Sequence, residues 1–332
     1  MDKNVSPVVS VVLPVYNCPD LVGEAVDSIV QQTWRDFELI VIDDGSTDQT
    51  PSILRRFGDP RIRLFTQANR GLAATLNRGI SLAQGRYVAR QDQDDIACPE
   101  RLAKQVAHLE ANPRCALLGT WAEIWHQNER TGKHHRHATS NARLKFELLL
   151  NNPFVHSSVM IRKCALETVG GYSEDPRRQP PEDYELWSRL ARIYEVGNLP
   201  EVLQIYREVP GSMSRDGVAP FIERLVTISA ENIACAAKVE NINPQVVNIA
   251  SLVHGARHRV QGKPDLNAMV SVFREATRAV VPPEQLSNFD REAERTIRGL
   301  RYTYPDIFQT SFLVRKMTGL IRRTTMLLKD SH

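Results

Sequence analysis

Residues 89–102 read ARQDQDDIACPERL, which sets three aspartates within four positions directly after the short β-like run GRYVAR. Carboxylates packed that closely repel one another, so something must hold them there. The stretch is either a solvated acidic turn before a helix or a site for a cation. Its context is strand, turn, helix, since PERLAKQVAHLEANP carries Pro99 where a first helical turn accepts it. Alternate residues of Asp92-Gln93-Asp94-Asp95 can converge on one hard divalent cation, which would offset the repulsion. A calcium loop of the EF-hand type would need Gly and Glu where Ala97 and Ala103 stand. An aspartyl nucleophile of the phosphatase kind would want a Thr in place of Ile96.

Outward from this stretch, apolar runs alternate with helical patterns. VVSVVLPVY (8–16), FELIVIDD (37–44), RIRLFTQ (61–67) and GRYVARQD (85–92) read as strands. Between them lie LVGEAVDSIVQQTW (21–34), a helix opening at the Ser46–Thr47–Asp48 caps, and GLAATLNRGISLAQG (71–85), ended by Gly85. This rhythm predicts an α/β fold with a mainly parallel sheet flanked by helices. Right-handed crossovers place the loops after the strands on one sheet edge, where ligands bind. Asp43–Asp44 and Asp92 both arrive there. Taken alone, Asp43-Asp44-Gly45-Ser46 is equally an acidic cap and glycine turn. It lacks the G-x-G-x-x-G of a dinucleotide fold and the Lys of a phosphate loop.

The chain has 332 residues, 42% hydrophobic and 24% charged, enough to bury a sizeable core. A net charge of +3 with no long basic block argues against nucleic acid as a partner. Five widely spaced cysteines without a C-x-x-C pair favour free thiols in a reducing cytoplasm. No apolar run reaches a spanning length, and none resembles a signal peptide, so a cytoplasmic location is expected. After residue 115 the rhythm is mixed: CALLGTWAEIWH, HSSVMIRK and EVLQIYRE read as strands and PEDYELWSRLARIY as a helix. From Gly217 onward the chain reads as helical. The expected division is a catalytic α/β domain, 1–215, and a helical C-terminal region, 216–332.

The motifs VVSVVLPVYN, FELIVIDDGSTD, NRGLAATLNRGI and GRYVARQDQDD, with Pro99 four residues on, resemble the family 2 glycosyltransferases of the GT-A fold. HSSVMIRKCALETVGGYSED, PEDYELWSRLA and IYREVPGSMS continue the match in order. The resemblance spans roughly residues 8–215, about two-thirds of the chain; each motif is weak alone, and seven in order are specific.

The resemblance implies roles, position by position. Pro14 and Tyr16 line a nucleotide pocket, Asp44 hydrogen-bonds a pyrimidine base, and Asn77 helps to shape that pocket. Asp92 and Asp94 form a D-x-D, Asp92 facing ribose and metal and Asp94 ligating the metal, Mn²⁺ or Mg²⁺. Asp183 is the general base, with Glu182 beside it, and His156 and Trp187 fall near the acceptor. In one departure, Tyr206-Arg207-Glu208 is followed by Val209 where the family often has His. The implied activity is inverting transfer from a nucleotide sugar, a UDP-sugar, to a hydroxyl acceptor of a surface polysaccharide or glycolipid. The rival reading is a catalytically silent nucleotide-sugar-binding or scaffold protein on the same fold, for which Val209 leaves an opening.

The chemistry is consistent with these residue types. A cation on Asp94 would neutralise charge on a departing phosphate, and a carboxylate opposite would take the acceptor proton. The bland alternative for Glu182–Asp183 is helix-dipole pairing after Pro180–Pro181. The histidines of HQNERTGKHHRH lie at no metal-ligand spacing and read as a solvated loop near the acceptor, and Trp121 and Trp125 as core or cleft wall. In the tail, Leu313, Met317, Leu320, Ile321, Leu327 and Leu328 share one helical face, with Arg315, Arg322 and Lys329 on another. That pattern suits either a peripheral contact with the cytoplasmic face of the inner membrane or a helix packed on the catalytic domain.

Overall fold

The computed structural model describes residues 6–126, 128–209, 218–240 and 242–308. The chain divides into two compact units, one of Met1–Leu144 with Asn152–Gly217 and one of Lys145–Asn151 with Val218–His332.

The first unit is built on one mixed sheet. Its strands are β1 (Val9–Val15), β2 (Phe37–Asp43), β3 (Ile62–Thr66), β4 (Tyr87–Arg90), β5 (Ile96–Ala97), β6 (Cys115–His126), β7 (Glu129–His135), β8 (Met160–Arg162) and β9 (Glu195–Glu208). Their order is β3-β2-β1-β4-β8-β6-β9-β5, with β7 hairpinned onto β6. The run β3-β2-β1-β4 is parallel, as the alternating first third of the sequence predicts. Strand β8 is antiparallel to both β4 and β6, β9 is parallel to β6, and β5 is antiparallel to β9. Every residue of β1 and β2 is buried, which fits strands covered on both faces and their unbroken apolar sequence.

The helices that begin in this unit are α1 (Val22–Val30), α2 (Thr50–Leu54), α3 (Leu72–Leu82), α4 (Arg101–Ala111), α5 (Asn141–Glu147), which ends among residues of the second unit, α6 (Lys163–Val169) and α7 (Glu182–Ile193). Val22, Ala25, Val26 and Ile29 of α1 and Leu102, Val106 and Leu109 of α4 join the core formed by β1 and β2. These are the i, i+3, i+4, i+7 positions legible in the sequence. Helix α2 is a single short turn, begun where Asp48 Oδ1 accepts the Thr50 amide. Helix α3 stops at Leu82, short of Gly85. That glycine is needed for close approach, because a Cβ there would lie 2.6 Å from the Ser10 nitrogen. Its N–H reaches Ser10 Oγ at 2.8 Å, and Ser10 donates to Glu38 in the neighbouring strand.

Residues 129–135, expected as part of a solvated loop, form β7 instead. Ala122 faces His135 across the hairpin, and the His135 and His137 rings stack at 5.6 Å. Pairing with β6 half-buries both rings, and burial lowers both imidazole pKa values, that of His137 to about 4. Trp121 donates to the His137 carbonyl, and Trp125 carries the Arg130 and Arg207 guanidiniums over its ring.

The second unit contains α8 (Val218–Ala237), α9 (Pro244–Val253), α10 (Leu266–Val280) and α11 (Leu286–Thr303). Asn243 and Asp265 cap the starts of α9 and α10 through their side chains. No helix among the described residues is long and apolar enough to cross a membrane. The amphipathic stretch from Leu313 to Lys329 lies outside the described residues.

Candidate functional site

Three parallel strands release their C-terminal loops at one edge of the sheet. The loop after β2 is held first. Asp44 is buried, and its carboxylate accepts the Gln67 side chain at 2.6 Å and the backbone N–H groups of Arg70 and Gly71, each at 2.9 Å. Gly45 follows at φ +82°, and a Cβ there would meet the Asn69 nitrogen at 2.8 Å, so this turn requires glycine. Two bonds fall on Oδ1 and one on Oδ2, and an ionised carboxylate offers about four acceptor positions. One acceptor direction on Oδ2 is therefore unused among the described residues.

The loop after β4 rests on buried polar groups that the sequence reading did not single out. Gln91 donates to the carbonyl of Asp95 at 2.8 Å. Asp95 is itself buried; it accepts from Ser157 and from the Arg207 backbone N–H at 2.8 Å. Arg101, fully buried in α4, donates to the Ser157 carbonyl and to Gln204. Arg207 donates to the Asp94 carbonyl at 3.1 Å and pairs with Glu24 of α1. Of the three aspartates, Asp95 is thus a tie between the loop and β9, and burial pushes its carboxyl well above the carboxylate range.

Asp92 and Asp94 differ from it and from each other. Asp92 is paired with Arg90, whose side chain is only 3% exposed. Asp94 has no salt bridge among the described residues, and its pKa is pushed up to about 6, first by burial and then by the charge of Asp92. Two hard carboxylates at alternate positions suit a divalent cation that takes its other ligands from water and phosphate oxygens. Such a cation would relieve the charge imbalance at Asp94. Among the described residues no group of three or more His, Cys, Asp or Glu converges, so the protein side chains alone do not form a complete cage.

Glu182 and Asp183 open α7, where the helix N-terminus favours negative charge. Burial raises both, Glu182 to about 7 and Asp183 to about 6. Two donors favour the ionised form of Asp183 and oppose the effect of burial: Asn152 Nδ2 and the Tyr184 N–H, each at 2.7 Å. The charge of Asp92 raises both groups as well, and the Arg90 guanidinium lowers Glu182. The β4 loop and the start of α7 are therefore electrostatic neighbours around one buried cation.

The remaining predicted positions lie as follows. Tyr16, at the end of β1, is 44% exposed, whereas Pro14 is buried within the strand. Asn77 uses both ends of its amide on the loop after α6: Nδ2 donates to the Tyr172 carbonyl and Oδ1 accepts the Tyr172 N–H. His156 is held by the Tyr172 hydroxyl at 2.9 Å and lies 3.8 Å from Glu182. Trp187 is fully buried against Phe154, His156 and Tyr172. The one available sequence signal for Arg90 was a cation ending the otherwise apolar run YVAR.

Comparison with known proteins bears on the family and the fold. The sequence profile of the family described as Glycosyl transferase family 2 matches residues 10–170. EpsE of Bacillus subtilis, named as a glycosyltransferase, is 34% identical over 233 residues, which cover 68% of this chain and 82% of that protein. The amylovoran biosynthesis glycosyltransferase AmsE of Erwinia amylovora is 31% identical over 204 residues, 60% of this chain and 75% of that one. Among solved structures, S. aureus TarS 1–349 in complex with UDP-GlcNAc superposes with TM-score 0.60 at 19% identity, covering 90% of this chain and 91% of that one. The mannosyltransferase PcManGT of Pyrobaculum calidifontis, in complex with GDP-Man and Mn²⁺, gives TM-score 0.52 at 20% identity, over 97% and 81%. The sheet order, the acidic strand ends and the EpsE relationship together show that this chain is a glycosyltransferase, a member of family 2 with the GT-A fold.

Proposed function

We propose that this enzyme is an inverting, metal-dependent glycosyltransferase that moves a sugar from a UDP-sugar to a hydroxyl of a surface polysaccharide or glycolipid acceptor. The observation that carries the reading is that Ser157 binds Asp95 of the aspartate loop while its neighbour His156 lies 3.8 Å from Glu182 at the start of α7, which brings the two acidic segments together. The UDP-GlcNAc complex of TarS supports a uridine donor, and the biosynthetic role in the name of AmsE supports a polysaccharide product.

In this mechanism Tyr16 and Asp44 frame the base, the free acceptor direction of Asp44 Oδ2 taking a base N–H. Asn77 shapes that pocket through the loop it holds at Tyr172. Asp92 and Asp94 would hold Mn²⁺ or Mg²⁺, which supplies Lewis-acid neutralisation of the departing diphosphate. Asp183, ionised above about pH 6, removes the acceptor hydroxyl proton as that oxygen attacks the anomeric carbon from the face opposite the leaving group. Burial and the adjacent Asp183 charge raise Glu182, so the site disfavours a second charge beside the base. His156 and Trp187 support the acceptor side from below. In this reading the protein is cytoplasmic and meets its acceptor either in solution or at the cytoplasmic face of the membrane.

The test is a panel of UDP-, GDP- and TDP-sugars assayed for release of nucleoside diphosphate with Mn²⁺, with Mg²⁺ and with chelator. Metal-dependent release from UDP-sugars is expected. Nucleotide binding without turnover on any donor, in the presence of acceptor extracts, would leave the silent-binder reading standing instead.

A further inference from the structure

Gln93 stands between the two aspartates, at the one position of the D-x-D for which the motif specifies no residue. In this fold its side-chain amide is bonded to the backbone of Tyr16. The Tyr16 backbone N–H donates to Gln93 Oε1 at 2.7 Å, and Gln93 Nε2 donates back to the Tyr16 carbonyl at 3.2 Å. A flipped amide would set N–H against N–H and oxygen against oxygen, so this pair of bonds admits one orientation of the side chain. Just beyond, Cys18 Sγ lies 3.7 Å from the Gln93 carbonyl.

The far side of the same loop is tied to the segment after β2. The Asn17 N–H donates to Ser46 Oγ at 3.0 Å, Asn17 Oδ1 accepts the Thr47 N–H at 2.9 Å, and the Cys18 N–H reaches Thr50 at 2.9 Å. Asn17 adopts a positive φ of 47°, an unfavourable region for a residue with a side chain. Residues 16–18 are thus a bridge with one footing on the β2 loop and the other on Gln93. The Tyr16 ring, exposed at the site, takes its direction from a backbone fixed at both ends.

We infer that Gln93 is a positioning residue that couples the nucleotide-facing Tyr16 loop to the aspartate loop, so that donor base and diphosphate are gripped as one unit. The inference rests on the proposed role of Tyr16 in meeting the donor nucleotide. It gives the unspecified position of the motif a defined task in this chain, one that a residue without a two-ended amide cannot perform.

Gln93→Ala tests it, with two readouts beside a melting curve. Amide hydrogen exchange at Tyr16 should quicken about tenfold, while exchange at buried Leu13 stays as in the wild type. Calorimetric titration with UDP and Mn²⁺ should show binding about fivefold weaker, and the donor KM should rise in step with kcat held within about twofold. Unchanged exchange at Tyr16, or wild-type UDP affinity in the variant, overturns the inference and leaves the donor reading intact. A loss confined to kcat overturns it too. A wild-type protein that binds neither UDP nor GDP overturns the donor reading itself, and this inference with it.

Discussion

Asn152 donates its side-chain amide to Asp183 Oδ2 across 2.7 Å, linking residues 31 positions apart at the start of α7. That bond aims the carboxylate and favours its ionised form. Asp183→Asn should lower kcat by about 10²- to 10⁴-fold with donor KM little changed, because an amide accepts no proton. Equal loss in Glu182→Gln with an active Asp183→Asn would move the base one residue upstream.

The same pair sets the pH profile. Asp183 works only when ionised, so kcat should be flat above about pH 6 and fall about tenfold per unit below it. Asn152→Ala removes a donor to the charged form and should therefore raise the inflection, by about one unit. A profile that keeps its inflection in Asn152→Ala would separate it from Asp183.

Asp94 is the carboxylate with most to gain from a cation. Asp94→Ala should abolish transfer and remove the Mn²⁺ dependence of UDP binding, measured by titration with and without metal. Chelator should do the same to the wild type. Full turnover in chelator would exclude the metal role.

Arg90 is buried beside Asp92, so its loss strands charge. Arg90→Met should cost about 1–2 kcal/mol in urea unfolding, since Asp92 loses its partner but, at 29% exposed, keeps part of its hydration. Arg90→Lys should recover part of this. A variant as stable as the wild type would show that the acidic cluster needs no resident cation.

Asp44 secures the turn that follows β3. Asp44→Ala removes three hydrogen bonds, two of them from the backbone N–H groups of Arg70 and Gly71. The expected cost is about 2–4 kcal/mol, together with weaker UDP binding. Loss of nucleotide binding without loss of stability would mean that the loop is held by other contacts.

What the sequence determined by itself was local and periodic. The buried runs VSVVLPV and FELIVID could only be covered strands, and the spacing of Val22, Ala25, Val26 and Ile29 could only present one helix face to them. Strand β6 was legible end to end for the same reason, because side-chain alternation and length need no partner to be read. The two-residue β5 carried no such period, and β7, with its polar sequence, is a strand only because β6 lies beside it. Tertiary structure alone decided which polar groups serve the fold and which remain for a ligand. Asp95 looks like its neighbours in sequence, yet Arg207, 112 positions away, and Ser157 make it a buried tie. Trp187 on α7 and Arg90 at the end of β4 are likewise buried only by the tertiary structure, Trp187 within an aromatic cluster. Burial and hydrogen-bond partners come from segments far apart in the chain, and only closure of the sheet brings those segments together.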